Sequence, residues 1–190
     1  MSGTLQPWRL RLAAHLLWQG GILAYPTESV FGLGCDPLDE RAVMRLLALK
    51  RRDVKKGVIL IADDFERLAP YVGDLPQERL AQVLRHWPGP HTWLIPAASW
   101  VPKWLTGEHT TLAMRVTAHP LAAALCRAAG MPLVSTSANL SGRPPARNPL
   151  QVRLRCGGAV ATAAKYILLP SDPANSQTRQ IAQVIAPAMR

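Results

Sequence analysis

With 190 residues the chain has the length of one domain built around one ordinary core. Hydrophobic content of 48% and a mean hydropathy of +0.04 exclude a disordered chain, and no apolar run approaches the ~18 residues of a membrane span. The formal charge is +10, and the span from His109 to Arg190 holds nine basic residues against the single acid Asp172; such a one-sided field favours anionic partners and leaves carboxylate-pair and acidic-metal chemistries few residues to use.

In chain order, Leu5, Trp8, Leu12 and Leu16 recur at helical spacing between Pro7 and the Gly20-Gly21 stop. Ile22 to Tyr25 reads as a short buried strand ending at Pro26. Asp39 is an N-cap for a helix that places Val43, Leu46, Leu47 and Lys50 on one face. Gly57 to Ala62 is a continuous apolar strand, and a helix over Gln77 to Trp87 stops at Pro88-Gly89-Pro90. Thr92 to Ile95 and Leu112 to Val116 are strands, the second with Arg115 embedded in it. Pro120 to Ala129 is a helix closed by Gly130, leading into the apolar run Met131 to Val134. Asn148-Pro149 opens another short helix, Tyr166 to Leu169 is the last clear strand, and the tail over 171–190 is weakly patterned. Helices alternating with fully apolar strands predict an α/β sheet covered on both faces, with some antiparallel pairs between Trp93 and Val116.

Arg9, Arg11 and His15 interrupt the apolar stretch that a secretory leader requires. Cys35, Cys126 and Cys156 are widely spaced and outside any CxxC, and the five histidines show no metal spacing, so a cytoplasmic protein without side-chain metal ligands is expected. Gly32 and Gly34 form only a GxG, and no GxxxxGK[ST] occurs; a nucleotide here binds without either common phosphate loop.

Four segments carry chemistry. Lys50-Arg51-Arg52 with Lys55-Lys56 is either a set of cations at the negative end of a helix or a grip for adjacent phosphate oxygens. Tyr25-Pro26-Thr27-Glu28-Ser29 is a proline-stiffened turn or a ligand loop. Arg115 lies on an exposed strand edge or binds a carboxylate. Ser135-Thr136-Ser137-Ala138-Asn139, at a strand end, is either a capping turn or a row of small donors facing a polyanion.

Together these segments resemble the YrdC/TsaC family of threonylcarbamoyl-AMP synthases. The resemblance rests on AYPTES at 24–29, FGLGCDP at 31–37, LKRR and KKGVILIA between 49 and 62, WPGPHT at 87–92, LAMRVTAHPL at 112–121 and PLVSTSANLSGRPP at 132–145. It implies one YrdC-like domain over 1–190, strongest over 20–150: a twisted mixed sheet flanked by helices, with a large basic cavity. It also implies condensation of L-threonine, bicarbonate or CO2, and ATP, Mg2+ entering with the ATP. The product supplies threonylcarbamoyladenosine beside the tRNA anticodon; a non-catalytic RNA-binding module of the same fold is the alternative.

The family's Lys-x-Arg and Ser-x-Asn signatures fall on Lys50, Arg52, Ser137 and Asn139, which the resemblance makes catalytic and ATP-binding. Thr92 and Arg147 join them for the nucleotide, and Thr27, Lys56, Arg115 and Ser135 form the threonine set. Asp53 stands where the family commonly has a proline, and Asn175 to Thr178 match its lid segment only loosely, leaving Ser176 without a firm role. A chain that stops at 190 is expected to hand its product to separate TsaD-type partners, with tRNA or double-stranded RNA as a candidate direct partner.

Overall fold

The computed structural model describes residues 7–155 and the backbone of 181–184. In chain order these form helix α1 (Pro7–Trp18), strands β1 (Leu23–Pro26) and β2 (Phe31–Gly34), helix α2 (Glu40–Lys50) and strand β3 (Ile59–Ala62). Helix α3 (Gln77–Leu84), strand β4 (Thr92–Pro96), the single turn α4 (Lys103–Thr106) and strand β5 (Thr111–Val116) follow. Helix α5 (Pro120–Ala129), strand β6 (Leu133–Ser137), a helical stretch over 149–155 and strand β7 (Ile181–Val184) complete them. The strands form one mixed sheet in the order β1-β2-β6-β3-β5-β4-β7. Only β3–β5 and β4–β7 pair in parallel.

Successive side chains on a strand face opposite sides, so each strand contributes to two different interiors. Leu33, Leu60, Met114 and Val134 face the larger core, where Val43 and Leu46 of α2 seal them. Leu23, Tyr25, Ile61 and Leu133 face the other side, against Ala13 and Leu17 of α1 and Leu125 of α5. This second cover reaches only part of the sheet. Beyond it the same face carries Gly32, Ser135, Ser137 and Arg115, small or polar positions that a fully covered sheet would fill with aliphatics, with Ile59 at the border.

The predicted α/β sheet with helices on both faces is what forms, with three local differences. Phe31–Gly34 has no strand signal in the sequence, yet it is a fully buried strand between β1 and β6. Its glycines are required by crowding: a Cβ on Gly34 would meet the Tyr25 hydroxyl at 2.7 Å as well as the Val134 carbonyl. Helix α3 ends at Leu84, short of Trp87, and β3 begins at Ile59 because Gly57 adopts φ +60° and Val58 N–H donates to the Leu105 carbonyl (2.9 Å). The expected strand over Tyr166–Leu169 lies outside the described residues.

Placing a methyl at Gly34 tests how tightly β2 is held. Gly34→Ala should cost about 1–3 kcal/mol through overpacking, read as a lower urea midpoint at an unchanged m-value.

Candidate active site

Helix α2 ends with Arg51 in the left-handed region at φ +50°, its N–H donating to the Ala48 carbonyl (3.0 Å) and that of Arg52 to the Leu47 carbonyl (2.9 Å). This reversal sends Arg51 to solvent and turns the residues on either side of it back onto the protein, which is why the signature is Lys-x-Arg. Lys50 is only 3% exposed. Its ammonium donates to the carbonyl oxygens of Ser137 and Asn139 (2.8 Å to Asn139) and to Asn139 Oδ1 (3.0 Å).

Asn139 completes the knot. Its Oδ1 also accepts the Ser137 hydroxyl (2.6 Å), and its Nδ2 donates to the carbonyls of Leu140 (3.0 Å) and Arg143 (2.6 Å). Between them, Ala138 is fully buried and its N–H donates to the Phe31 carbonyl (2.8 Å). Arg52 is half-buried and donates through Nη2 to the Gly57 carbonyl (3.0 Å). Its Nε is buried with no protein partner, and burial lowers the guanidinium pKa. An unpartnered buried donor of this kind costs about 1–3 kcal/mol unless something else accepts from it. Asp53 begins the turn Val54–Lys56 that carries Lys56, its Oδ1 accepting the Lys55 N–H (2.9 Å).

On the uncovered face, Thr27, Glu28, Gly32, Ile59, Arg115 and Ser135 line a small concavity. The Thr27 hydroxyl closes its own turn by donating to the Val30 carbonyl (2.7 Å), leaving its lone pairs toward the space. Arg115 is 8% exposed. Its Nε and Nη2 donate to Thr92 Oγ1 (2.9 and 2.6 Å), and its Nη1 to Glu28 Oε2 (3.3 Å).

The structure therefore gathers Thr27, Arg115 and Ser135 in one concavity, with Ser137 next along the same face, while Lys56 stands exposed three residues before Ile59. Lys50 and Asn139 direct their polar atoms into the Ser137–Arg143 turn. Thr92 is 4% exposed and its oxygen accepts two guanidinium bonds from Arg115. Arg147 is exposed on a loop pinned to β2 and the Ser137 turn, since Ala146 bonds both Phe31 and Ala138. Ser176 lies outside the described residues.

Two partners in the site, Glu28 and Thr117, lie within the segments quoted at 24–29 and 112–121, but neither is given a role there. Glu28 nevertheless has a sequence signal: it is the first acid in the chain and the only formal charge between Arg11 and Asp36. Cysteine chemistry has no place here: burial pushes the Cys126 thiol up to about 12 and raises that of Cys35 further. Among the described residues, no three His, Cys, Asp or Glu side chains gather where they could hold a metal ion.

Two substitutions separate the wall of the concavity from its support. A Cβ on Gly32 would lie 3.2 Å from the Thr27 methyl and 3.4 Å from Ser135 Oγ, so Gly32→Ala should weaken ligand binding there while costing less than about 1 kcal/mol of stability. Lys50→Met removes the cationic donor shared by the Ser137 and Asn139 carbonyls and Asn139 Oδ1, and should lower stability by about 2–4 kcal/mol, measured by chemical denaturation. A Lys50 that served only a bound ligand would leave the denaturation midpoint unchanged.

Comparison with known proteins identifies the family. The profile of the Sua5/YciO/YrdC family, described as telomere recombination, matches residues 15–188. The chain is 53% identical to the threonylcarbamoyl-AMP synthase of Alkalilimnicola ehrlichii, over 89% of this chain and 88% of that one. It is 46% identical to that of Cellvibrio japonicus, over 95% and 96%. Its fold matches P. abyssi Sua5 complexed with L-threonine at TM-score 0.75 and 35% identity, over 80% of this chain but only 44% of that one. It matches E. coli YciO at TM-score 0.70 and 28% identity, over 78% and 72%. By profile, by sequence and by fold, the chain belongs to the Sua5/YciO/YrdC family.

Proposed function

We propose that this chain is an L-threonylcarbamoyladenylate synthase, which condenses L-threonine, bicarbonate or CO2, and ATP into threonylcarbamoyl-AMP and pyrophosphate. The observation that carries the reading is the adjacency of two different receptors on one open sheet face. A small pocket with Arg115, Ser135 and Thr27 suits an amino acid, and the cations Arg52 and Lys56 after α2, with Ser137 next along the sheet face, suit phosphates. Relatives of nearly the same length carry the name threonylcarbamoyl-AMP synthase.

The α-ammonium of threonine gives up a proton, and the free amine adds to CO2 and loses a second, giving a carbamate. A carbamate oxygen then attacks the α-phosphorus, the bond to the bridging oxygen breaks, and pyrophosphate leaves. Negative charge grows on phosphate oxygens throughout, so catalysis is a matter of placing donors around them. Arg52 supplies the charge, with its unpartnered Nε as one donor, and the Ser137 hydroxyl becomes a second when it turns from Asn139 Oδ1 to a phosphate oxygen. Lys50 and Asn139 act as positioning residues, keeping the turn rigid before the substrate arrives. Arg147, on its loop beside β2, is placed to meet the nucleotide from the rim. Mg2+ would be held by phosphates and water, since the donor set nearby is cationic and hydroxylic. The product supplies tRNA threonylcarbamoylation in the cytoplasm through TsaD-type partners.

The test is pyrophosphate release. It should require both L-threonine and bicarbonate, and a threonine-independent rate equal to the full rate would sink the assignment. Arg52→Ala and Ser137→Ala should each lower kcat by roughly 10²–10³ with the fold intact. Salt-sensitive RNA binding without any pyrophosphate release would favour the RNA-binding module instead.

A further inference from the structure

Glu28 is a carboxylate set into a wall whose other polar groups suit an anion. Its side chain is 11% exposed and that of Arg115 10%, so both charges are largely out of water. Three donors fix it: Oε1 accepts the Thr117 hydroxyl (2.6 Å) and the Ala118 N–H (3.0 Å), and Oε2 accepts Arg115 Nη1 (3.3 Å). Oε1 is thereby occupied by two bonds, whereas Oε2 has one long bond and a free lone pair beside the concavity that Glu28 lines. If the pocket had only to hold a carboxylate, Arg115 without this partner would be the stronger receptor. A neutral amide at this position would keep one acceptor for Thr117 and Ala118 but turn an N–H toward Arg115 Nη1, so only a carboxylate compensates the buried guanidinium. The same negative charge also sets the net charge of the concavity that Glu28 lines.

We propose that the Glu28–Arg115 pair makes the amino-acid pocket net neutral, so that it selects a zwitterion and excludes simple anions. The carboxylate of the amino acid takes the N–H groups of Arg115 that Thr92 and Glu28 leave over, and its α-ammonium sits on Glu28 Oε2. Carboxylates without an amine, and phosphates drawn in by Arg52 and Lys56, meet an acceptor where they need a donor. Glu28 thus keeps the phosphate rim and the amino-acid pocket from competing for the same ligands, with repulsion as the discriminating element. This inference rests on the reading that the pocket takes L-threonine and adds Glu28 as its specificity-determining residue.

The experiment uses the full chain and two readouts. In pyrophosphate release, Glu28→Gln should raise KM for L-threonine by roughly tenfold or more, as expected for losing one charge-assisted bond, with KM for ATP nearly unchanged. In calorimetric binding without ATP, Glu28→Gln should bind 3-hydroxybutyrate, which is threonine without its amine, more tightly than the wild type does, while binding threonine less tightly. Glu28→Asp, which keeps the charge, should preserve the wild-type preference. Parallel weakening of both ligands, or no change in their ratio, overturns the proposal in favour of a purely structural tie. If Glu28→Gln does not fold, Arg115→Gln gives the mirror test. Its uncompensated carboxylate should shift preference from L-threonine toward L-threoninol, and an unshifted preference again overturns the proposal. Because calorimetry does not need turnover, failure of the synthase reading and failure of this inference give different results: the first removes threonine-dependent pyrophosphate, the second removes the change in ligand preference.

Discussion

The Lys50 ammonium under the Ser137–Asn139 turn is the interaction on which the rest of the site depends. It joins the C-terminus of α2 to the end of β6 across 87 residues of sequence. Charge-assisted bonds are each worth about 1.5–3 kcal/mol, and a cation at the last turn of a helix also meets the negative end of its dipole. With Lys50 in place, Asn139 has a cationic partner for its Oδ1 and a reason to aim its Nδ2 along the turn. Ser137 is then oriented by Asn139, and Ala138 is sealed beneath by its bond to Phe31. The turn is thereby fixed before any ligand arrives, its polar side chains bonded to one another and to the backbone.

The second constraint is where the helices stop. A sheet in water must cover its aliphatic faces, and here one face is covered throughout by the larger core. On the other, α1 and α5 seal Leu23, Tyr25, Ile61 and Leu133 and then end. The uncovered positions carry residues whose exposure costs little: Gly32, Ser135, Ser137 and a paired Arg115. Because adjacent strands expose one residue each at this level, groups distant in sequence are brought side by side. Gly32 is opposite Ser137, and Ile59 is opposite Ser135. The concavity is a consequence of sheet register together with incomplete cover, with the β1–β2 loop supplying Thr27 and Glu28 to its wall.

Much of this architecture is legible from sequence because its signals are local. The apolar runs of β3, β5 and β6 announce themselves. Asp39 caps α2 by accepting the Ala42 N–H (3.0 Å), and Gly130 closes α5 at φ +71°, as residue types at those places predict. Strand β2 is illegible for the opposite reason: its glycines lower strand propensity, and the Tyr25 ring and Val134 carbonyl that demand them come from other strands. Helix α4 is a single turn and too short for periodicity to register. At the site, residue identities are legible while their partners are not. Whether Lys50 faces a phosphate or a backbone carbonyl, and whether Thr92 faces ATP or Arg115, is decided by contacts spanning 87 and 23 residues. No local spacing encodes those contacts.

Asp53 shows what the signature requires in physical terms. The family resemblance puts a proline there, and proline fixes φ near −65° while removing an N–H. In this chain Asp53 has φ −62° and ψ 131°, the same backbone shape, and it gains what proline lacks, an oxygen that caps the Lys55 N–H. The turn that follows delivers Lys56, and the Gly57 carbonyl at its end receives Arg52. The departure therefore preserves the path of the chain by a different means. Rigidity from a ring is replaced by rigidity from a capping bond. Arg52 depends on where the Gly57 carbonyl lies and is indifferent to which residue put it there. A sequence signature of this kind records a backbone course, and a substitution that keeps that course leaves the chemistry in place.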